Sequence, residues 1–155
     1  MDADMKKFLC PEVKDVDMVR TKENVGAFLS QYLSCRQSIG QPREPKITTT
    51  FSLTPISSNQ ITKHAEDILI YNEEMKAKFL ELHKKFVFGY SAIRHPFRPD
   101  ITKRRQRIFY ERYILGYSIY VTAERNLVSD DLVSQDSTLS VIMFAQAIGI
   151  IVMKG

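Results

Sequence analysis

Apolar residues recur at three- and four-residue spacing in several stretches of this chain, which is the periodicity of helices with one buried face. One such stretch covers residues 21–39, where we expect Thr21 to be the N-cap and Gly40 and Pro42 to end the helix. A longer stretch covers residues 62–88. A stripe of this kind usually packs within its own chain, although its length also leaves room for a dimer seam.

The segments outside these two helices have a different pattern. Residues 1–18 mix acidic and basic side chains with little periodicity, which predicts a flexible tail. Residues 41–61 contain prolines and an alternating β-branched run, which indicates a short strand or an extended arm that lies on the helices. We therefore expect residues 19–99 to form a helical support region with this arm inside it.

Residues 100–155 have the pattern of a helix-turn-helix region, and they make the predicted fold class all-α with an extended middle segment. Asp100 is expected to cap a helix that Gly116 ends in a left-handed conformation. Ser118 then begins a short helix, and Ser129 begins a longer apolar one. The residues predicted to face inward are Ile108, Phe109, Tyr113, Leu115, Ala123, Val133, Val141, Phe144, Ala145 and Ile148.

The charge of the chain is compatible with nucleic acid but does not require it, because the formal net charge is only +4. The densest basic cluster lies in the helix that leads into the helix-turn-helix. Its side chains are the candidate contacts to DNA phosphates: Lys103, Arg104, Arg105, Arg107 and Arg112. Charge reversal at Arg104 and Arg105 is then expected to weaken DNA binding uniformly across sequences.

No residue pattern indicates catalysis. The chain has no nucleophile motif, no Gly-rich phosphate loop, and no ligand spacing among its cysteines and histidines. We therefore expect no enzyme activity, no cofactor, no metal and no small-molecule substrate. The longest apolar run is broken at Gln146 and Gly149, so it is too short for a membrane span, and no signal peptide is evident. A cytoplasmic location is expected.

Three stretches carry a resemblance to a known family. The first is Thr21-Lys-Glu-Asn-Val25, followed by Phe28-Leu29 and Tyr32. The second is Pro45-Lys-Ile-Thr-Thr-Thr-Phe-Ser-Leu-Thr-Pro55, and the third is Arg107-Ile-Phe-Tyr-Glu-Arg-Tyr-Ile-Leu-Gly-Tyr-Ser118, closing with Phe144-Ala-Gln-Ala-Ile-Gly149. Together they resemble the ArpU family of phage late transcriptional regulators, in family order. The resemblance implies a C-terminal helix-turn-helix like the DNA-binding end of sigma factors. It also implies that the protein switches on late genes of a phage or prophage in the bacterial cytoplasm by binding double-stranded DNA.

The last helix departs from the family pattern, because it has three aspartates and no basic residue where the family has Arg and Lys. The aspartates Asp130, Asp131 and Asp136 would oppose the approach of phosphates. The side chains that could still read base edges are Ser129, Ser134, Gln135, Ser137 and Thr138. The family's Leu-Gly pair is replaced by Asn126-Leu127, and we expect Asn126 to take the left-handed turn conformation.

Two functional hypotheses follow from this departure. In the first, the unit binds DNA and the preceding basic helix supplies the phosphate contacts. In the second, the protein is an adaptor whose acidic last helix contacts RNA polymerase or another phage or host factor. A homodimer is a further expectation, because Ile148–Val152 forms an apolar end; packing of this end on the 62–88 helix is the rival explanation.

Overall fold

The computed structural model describes residues 10–40 and 58–155, with side chains described for 10–39, 65–68 and 70–155. Within these ranges the fold is all-α, as predicted, and the only β feature is an isolated antiparallel bridge. The predicted tail falls outside the described residues for 1–9, and the predicted arm does so for 41–57. No helix within the described ranges combines the length and apolar character that crossing a bilayer requires.

The first two helices are longer than predicted. Helix α1 covers Met18–Gly40 and helix α2 covers Ser58–Ser91, so the last part of the predicted arm is helical. Thr21 is not the N-cap. It lies inside α1 and is fully buried, and its hydroxyl donates to the backbone oxygen of Val152 and accepts from the nitrogen of the same residue.

The chain is divided into two compact units, and the boundaries between them fall within α1 and α2. In the unit formed by residues 31–83, an aromatic cluster packs around Tyr32, which is 2% exposed. Its ring stacks on Phe79 and His83, and its hydroxyl lies 2.8 Å from Nδ1 of His83. Cys35 and Leu82 are buried in the same unit. The threes-and-fours stripe of α2 is thus partly an intramolecular core, as favoured from sequence.

The other unit contains residues 1–30 and 84–155 and the larger core. Its remaining helices are α3 (Pro99–Phe109), a π-helical segment (Tyr110–Ile114), α4 (Ile119–Asn126) and α5 (Asp130–Ala147). The core is closed by aromatic packing, with Phe144 of α5 stacked on Phe109 at 5.0 Å and tilted against Phe28 and Phe86. Its buried members are Val25, Leu29, Ile93, Phe109, Val141, Phe144 and Ala145.

Gly89 allows α2 to approach α5 closely. A Cβ atom at this position would lie 2.7 Å from two ring carbons of Phe144 and 3.2 Å from a methyl group of Ile148. Because the phenylalanine is fully buried, its ring has little room to move away. Gly89 is therefore a packing residue inside α2.

The apolar C-terminal segment packs within the fold, against α1 and the chain just before it, and its first residue, Ile148, also lies beside Gly89 of α2. Ile148, Ile150 and Ile151 pack on the core, and the amide side chain of Asn24 donates to the backbone oxygen of Ile150. The backbone of residues 15–17 bonds to residues 152–154, which includes the bridge between Val16 and Met153. Residues 10–17 are thus partly tied to the fold, where the sequence predicted a flexible tail.

Candidate nucleic-acid interface

The helix starts and the helix crossing of the α4–turn–α5 unit are as the sequence predicted. The hydroxyl of Ser118 accepts from the backbone nitrogen of Val121, and that of Ser129 accepts from Leu132, so both serines are N-caps. Ala123 is 4% exposed and packs with Ile108 of α3 and Val133 of α5 in a second small core. Gly116 has φ +75°, the left-handed stop that was expected.

Three local predictions in this region were wrong. Asp100 is not the N-cap of α3; Arg98 holds that position, and its guanidinium pairs with the Asp100 carboxylate at 2.8 Å. Leu115 is 46% exposed because the chain leaves the helix through a π turn, which rotates this side chain outward. Leu127, and not Asn126, takes the left-handed conformation, at φ 54° and ψ 45°.

The main basic cluster divides into two groups with different surroundings. Arg104 and Arg105 lie on the face of α3 that packs against α5. Arg104 Nε lies 2.8 Å and Arg105 Nε 3.4 Å from the carboxylate oxygens of Asp136. Asp136 is 2% exposed, so its charge is neutralised inside the fold and does not oppose phosphates at the surface. The two arginines are correspondingly engaged in structure, and Arg105 also donates to the backbone oxygen of Arg94.

Lys103 and Arg107 are exposed on another face of α3 and line an open cleft of about 580 Å³. A third cation, Arg125 of α4, lines the same cleft. The other lining residues are Tyr90, Gln106, Tyr110, Glu111 and Leu115, and none of them belongs to α5. The cleft therefore brings together three cations and two tyrosines, a set suited to a phosphate-rich ligand.

Glu111 holds Arg125 at this cleft. Its carboxylate is buried, accepts from Arg125 Nε at 3.3 Å and from the side-chain amide of Asn126 at 2.9 Å. The guanidinium of Arg125 also lies 5.1 Å from the centre of the Tyr117 ring. These contacts fix the end of α4 to the π-helical segment, and they leave Arg125 half exposed, with part of its guanidinium available to a ligand.

Arg112, the fifth predicted phosphate contact, is also turned toward the protein. Its Nη1 donates to the backbone oxygen of Tyr117 at 2.8 Å, and its guanidinium lies over the ring of Tyr113. This arginine satisfies a backbone carbonyl where the chain passes from the π-helical segment into α4. Only Lys103 and Arg107 of the five predicted cations are therefore exposed.

The five predicted base-reading side chains of α5 are in different environments. Ser134 and Gln135 are exposed, while Ser137 is 5% exposed, so burial removes it from any surface. Ser129 is occupied as the N-cap, and Thr138 donates to the backbone oxygen of Ser134. Val13, from the turn Val13–Asp15 before α1, lines a groove together with Ser134, Gln135, Thr138 and Leu139, so the N-terminal segment borders this face.

The acidic surface of α5 is smaller than the sequence indicates. Asp130 and Asp131 are exposed in the first turn, where their negative charges interact favourably with the positive end of the helix dipole, whereas Asp136 is buried.

The sequence pattern missed Arg125 as a site residue, because it lies outside the main cluster and reaches the cleft only through folding. No group of three metal-ligating side chains is found within residues 10–40 and 58–155.

Comparison with known proteins shows similarity to phage proteins. Over 108 residues the chain is 28% identical to protein Gp66 of Listeria phage A118, and the match covers 69% of each protein. Over 62 residues it is 36% identical to the uncharacterized phage-related protein Lin1259/Lin1739 of Listeria innocua. That match covers 39% of this chain and 44% of the relative.

Two further comparisons found no match. No protein-family model matches the sequence. No solved structure matches it either.

Proposed function

We propose that this protein is a DNA-binding transcriptional regulator of late phage genes, of the ArpU type, acting in the cytoplasm of the bacterial host. The observation that carries the proposal is the cleft in which Lys103, Arg107 and Arg125 converge. The similarity to phage proteins and the α4–turn–α5 connectivity support it. A helix-turn-helix of the sigma-factor kind and a homodimer are parts of the same proposal.

The three cations at the cleft are the phosphate contacts in this proposal. Arg104, Arg105 and Arg112 hold the fold together and act indirectly, by fixing the helix that carries Lys103 and Arg107. Base reading is assigned to the exposed side chains Ser134 and Gln135. Three phosphate contacts correspond to a slope of about −2.7 in a plot of log affinity against log salt concentration.

Titration of a fluorescent late-promoter duplex with the full chain tests the proposal. We expect binding that weakens with salt, and we expect the double variant Lys103→Glu/Arg107→Glu to reduce the slope by about 2. Lys22→Glu is the matched control, since Lys22 is an exposed cation of α1 that does not line the cleft. Folded wild-type protein that does not bind duplex DNA even at low salt contradicts the proposal.

The homodimer is tested separately by light scattering over a range of protein concentrations. A dimer would allow two cation clefts to contact one duplex with two-fold symmetry. A monomer at the highest concentration excludes it in the absence of DNA. The remaining possibility is then a dimer that forms only on the duplex, which the stoichiometry of the titration measures.

A further inference from the structure

We infer that α4 and the turn after it form a docking surface for a second protein. The partner binds through a basic segment of its own, which carries an apolar anchor residue. This surface shares no lining residue with the cation cleft, and the inferred function goes beyond DNA binding. Its lining residues are Tyr120, Ala123, Glu124, Leu127, Val128 and Asp130, around a groove of about 560 Å³.

The first observation is the conformation of Leu127. Its φ of 54° lies in the left-handed region, which disfavours any side chain with a Cβ atom. The same side chain is 93% exposed, so it gains almost no burial within the fold. A residue that is unfavourable for the backbone and does not stabilise the core is best explained by a contact with another molecule. Glycine would serve the turn better.

The second observation is that the groove has a firm floor and an apolar wall. Ala123 is buried, and Val128 packs against the small core formed with Ile108 and Val133. Tyr120 is 63% exposed, and its hydroxyl lies 3.1 Å from a carboxylate oxygen of Glu124, which restricts the ring. Restricted aromatic and apolar side chains around a concave surface are typical of anchor pockets at protein interfaces.

The charge of the groove selects the partner. Glu124 and Asp130 line it, and no lysine or arginine is among its six lining residues. Asp131 adds a further exposed carboxylate on the first turn of α5. Phosphates would be repelled here, whereas lysine or arginine side chains flanking an apolar residue would be attracted. The geometry therefore favours a basic protein segment over DNA as the occupant.

Selection from a library of random displayed 12-residue peptides tests this inference without knowledge of the natural partner. The full-length protein is the bait, and Leu127→Gly is used for counter-selection. We expect enriched peptides to combine an apolar residue with lysine or arginine. A failure to enrich any peptide class, or enrichment of acidic peptides, overturns the inference.

Titration of a selected peptide against variants then identifies the surface. Leu127→Gly should weaken binding at least tenfold while melting at a temperature no lower than that of wild type, so misfolding cannot explain the loss. Glu124→Gln and Asp130→Asn should weaken binding and lower its salt dependence. Phe97→Ala is the control, because Phe97 is 87% exposed but does not line the groove. Equal affinity of wild type and Leu127→Gly contradicts the inference.

Two other occupants give different results. If Leu127→Gly weakens binding to duplex DNA as strongly as Lys103→Glu/Arg107→Glu does, the surface belongs to the nucleic-acid interface and the inference is wrong. If the same variant abolishes a dimer in light scattering, the occupant is a second copy of this chain and the inference is also wrong. A loss of DNA binding confined to the Lys103 and Arg107 variant keeps the two surfaces distinct.

Discussion

Replacing Asp136 by alanine is expected to destabilise the protein more than any other single change at an acidic residue of α5. The Asp136 carboxylate is 2% exposed and is shared by Arg104 Nε at 2.8 Å and Arg105 Nε at 3.4 Å. Removal of the carboxylate leaves two guanidinium groups without their common acceptor. The arginine side chains are only 29% and 13% exposed, so water replaces the lost acceptor incompletely.

The expected loss is about 3 kcal/mol of the free energy of unfolding. Hydrogen bonds to charged groups contribute about 1.5–3 kcal/mol each, and the longer of the two contacts is the weaker one. Breaking a buried ion pair from one side generally costs about 3–5 kcal/mol, and the partial exposure of Arg104 lowers that range here. Arg104→Ala should cost less, about 1–2 kcal/mol, because Arg105 still neutralises the carboxylate.

Urea unfolding of each variant, followed by circular dichroism, measures these losses. Asp131→Ala is the matched control, since it removes an exposed carboxylate from the same helix and loses only a helix-dipole interaction of about 0.3–1 kcal/mol. A double variant with Arg104→Ala measures the coupling between the two groups. If Asp136→Ala unfolds at the same urea concentration as Asp131→Ala, the buried ion cluster does not contribute as described. Charge reversal at Arg104 or Arg105 is for the same reason a test of folding and not of DNA contact.

Three further predictions concern the larger unit. Gly89→Ala should destabilise the protein by about 1–3 kcal/mol through overpacking. Gly26→Ala is the control, because nothing lies within 4 Å of its new methyl group, and it should be neutral or stabilising by up to about 1 kcal/mol. Thermal melting compares the two variants, and equal melting temperatures contradict the close approach at Gly89. Thr21→Val should lower the free energy of unfolding, measured in urea, by about 1–3 kcal/mol, because it removes a buried hydroxyl that is hydrogen-bonded to the C-terminal segment. An unchanged free energy of unfolding would mean that these hydrogen bonds do not stabilise the fold. Burial raises the pKa of the Tyr113 phenol, and the nearby Arg112 partly opposes this rise. The free energy of unfolding should therefore fall as pH rises from about 10 through the higher pKa of the folded state. Tyr113→Phe should reduce this alkaline loss, and an unchanged dependence on pH would contradict the prediction.

Much of the helical framework could be predicted from the sequence, because helix periodicity and caps are local properties. Ser118, Gly116 and Ser129 have the predicted roles, since a cap bonds to backbone groups two or three residues away. Of the residues predicted to face inward, Leu115 is exposed, because the π turn shifts the register there. The buried face of α5 also contains Asp136 and Ser137, which were predicted to lie at the surface. The π turn depends on packing and capping contacts, which cannot be read from the three- and four-residue spacing of apolar residues in the sequence.

The candidate site depended much more on tertiary contacts. Five basic residues close together in sequence look equivalent, yet they differ in their surroundings because a helix directs neighbouring side chains to different faces. Arg104 and Arg105 meet an aspartate some thirty positions away, with sequence separations of 32 and 31. Lys103 and Arg107 instead share a cleft with Arg125. The packing of α3 against α5 engages Arg104 and Arg105, the backbone oxygen of Tyr117 engages Arg112, and the other two cations remain exposed.

The sequence by itself determined an all-α chain with a short and a long helix joined by a tight turn, since spacing and capping act over one or two helical turns. The tertiary structure decided that Asp136 is a buried counter-ion and that the cleft with Lys103, Arg107 and Arg125 has no lining residue from α5. It also decided that the turn carries an exposed, left-handed Leu127. These outcomes depend on contacts between residues far apart in sequence, where burial changes what a charge or a side chain does.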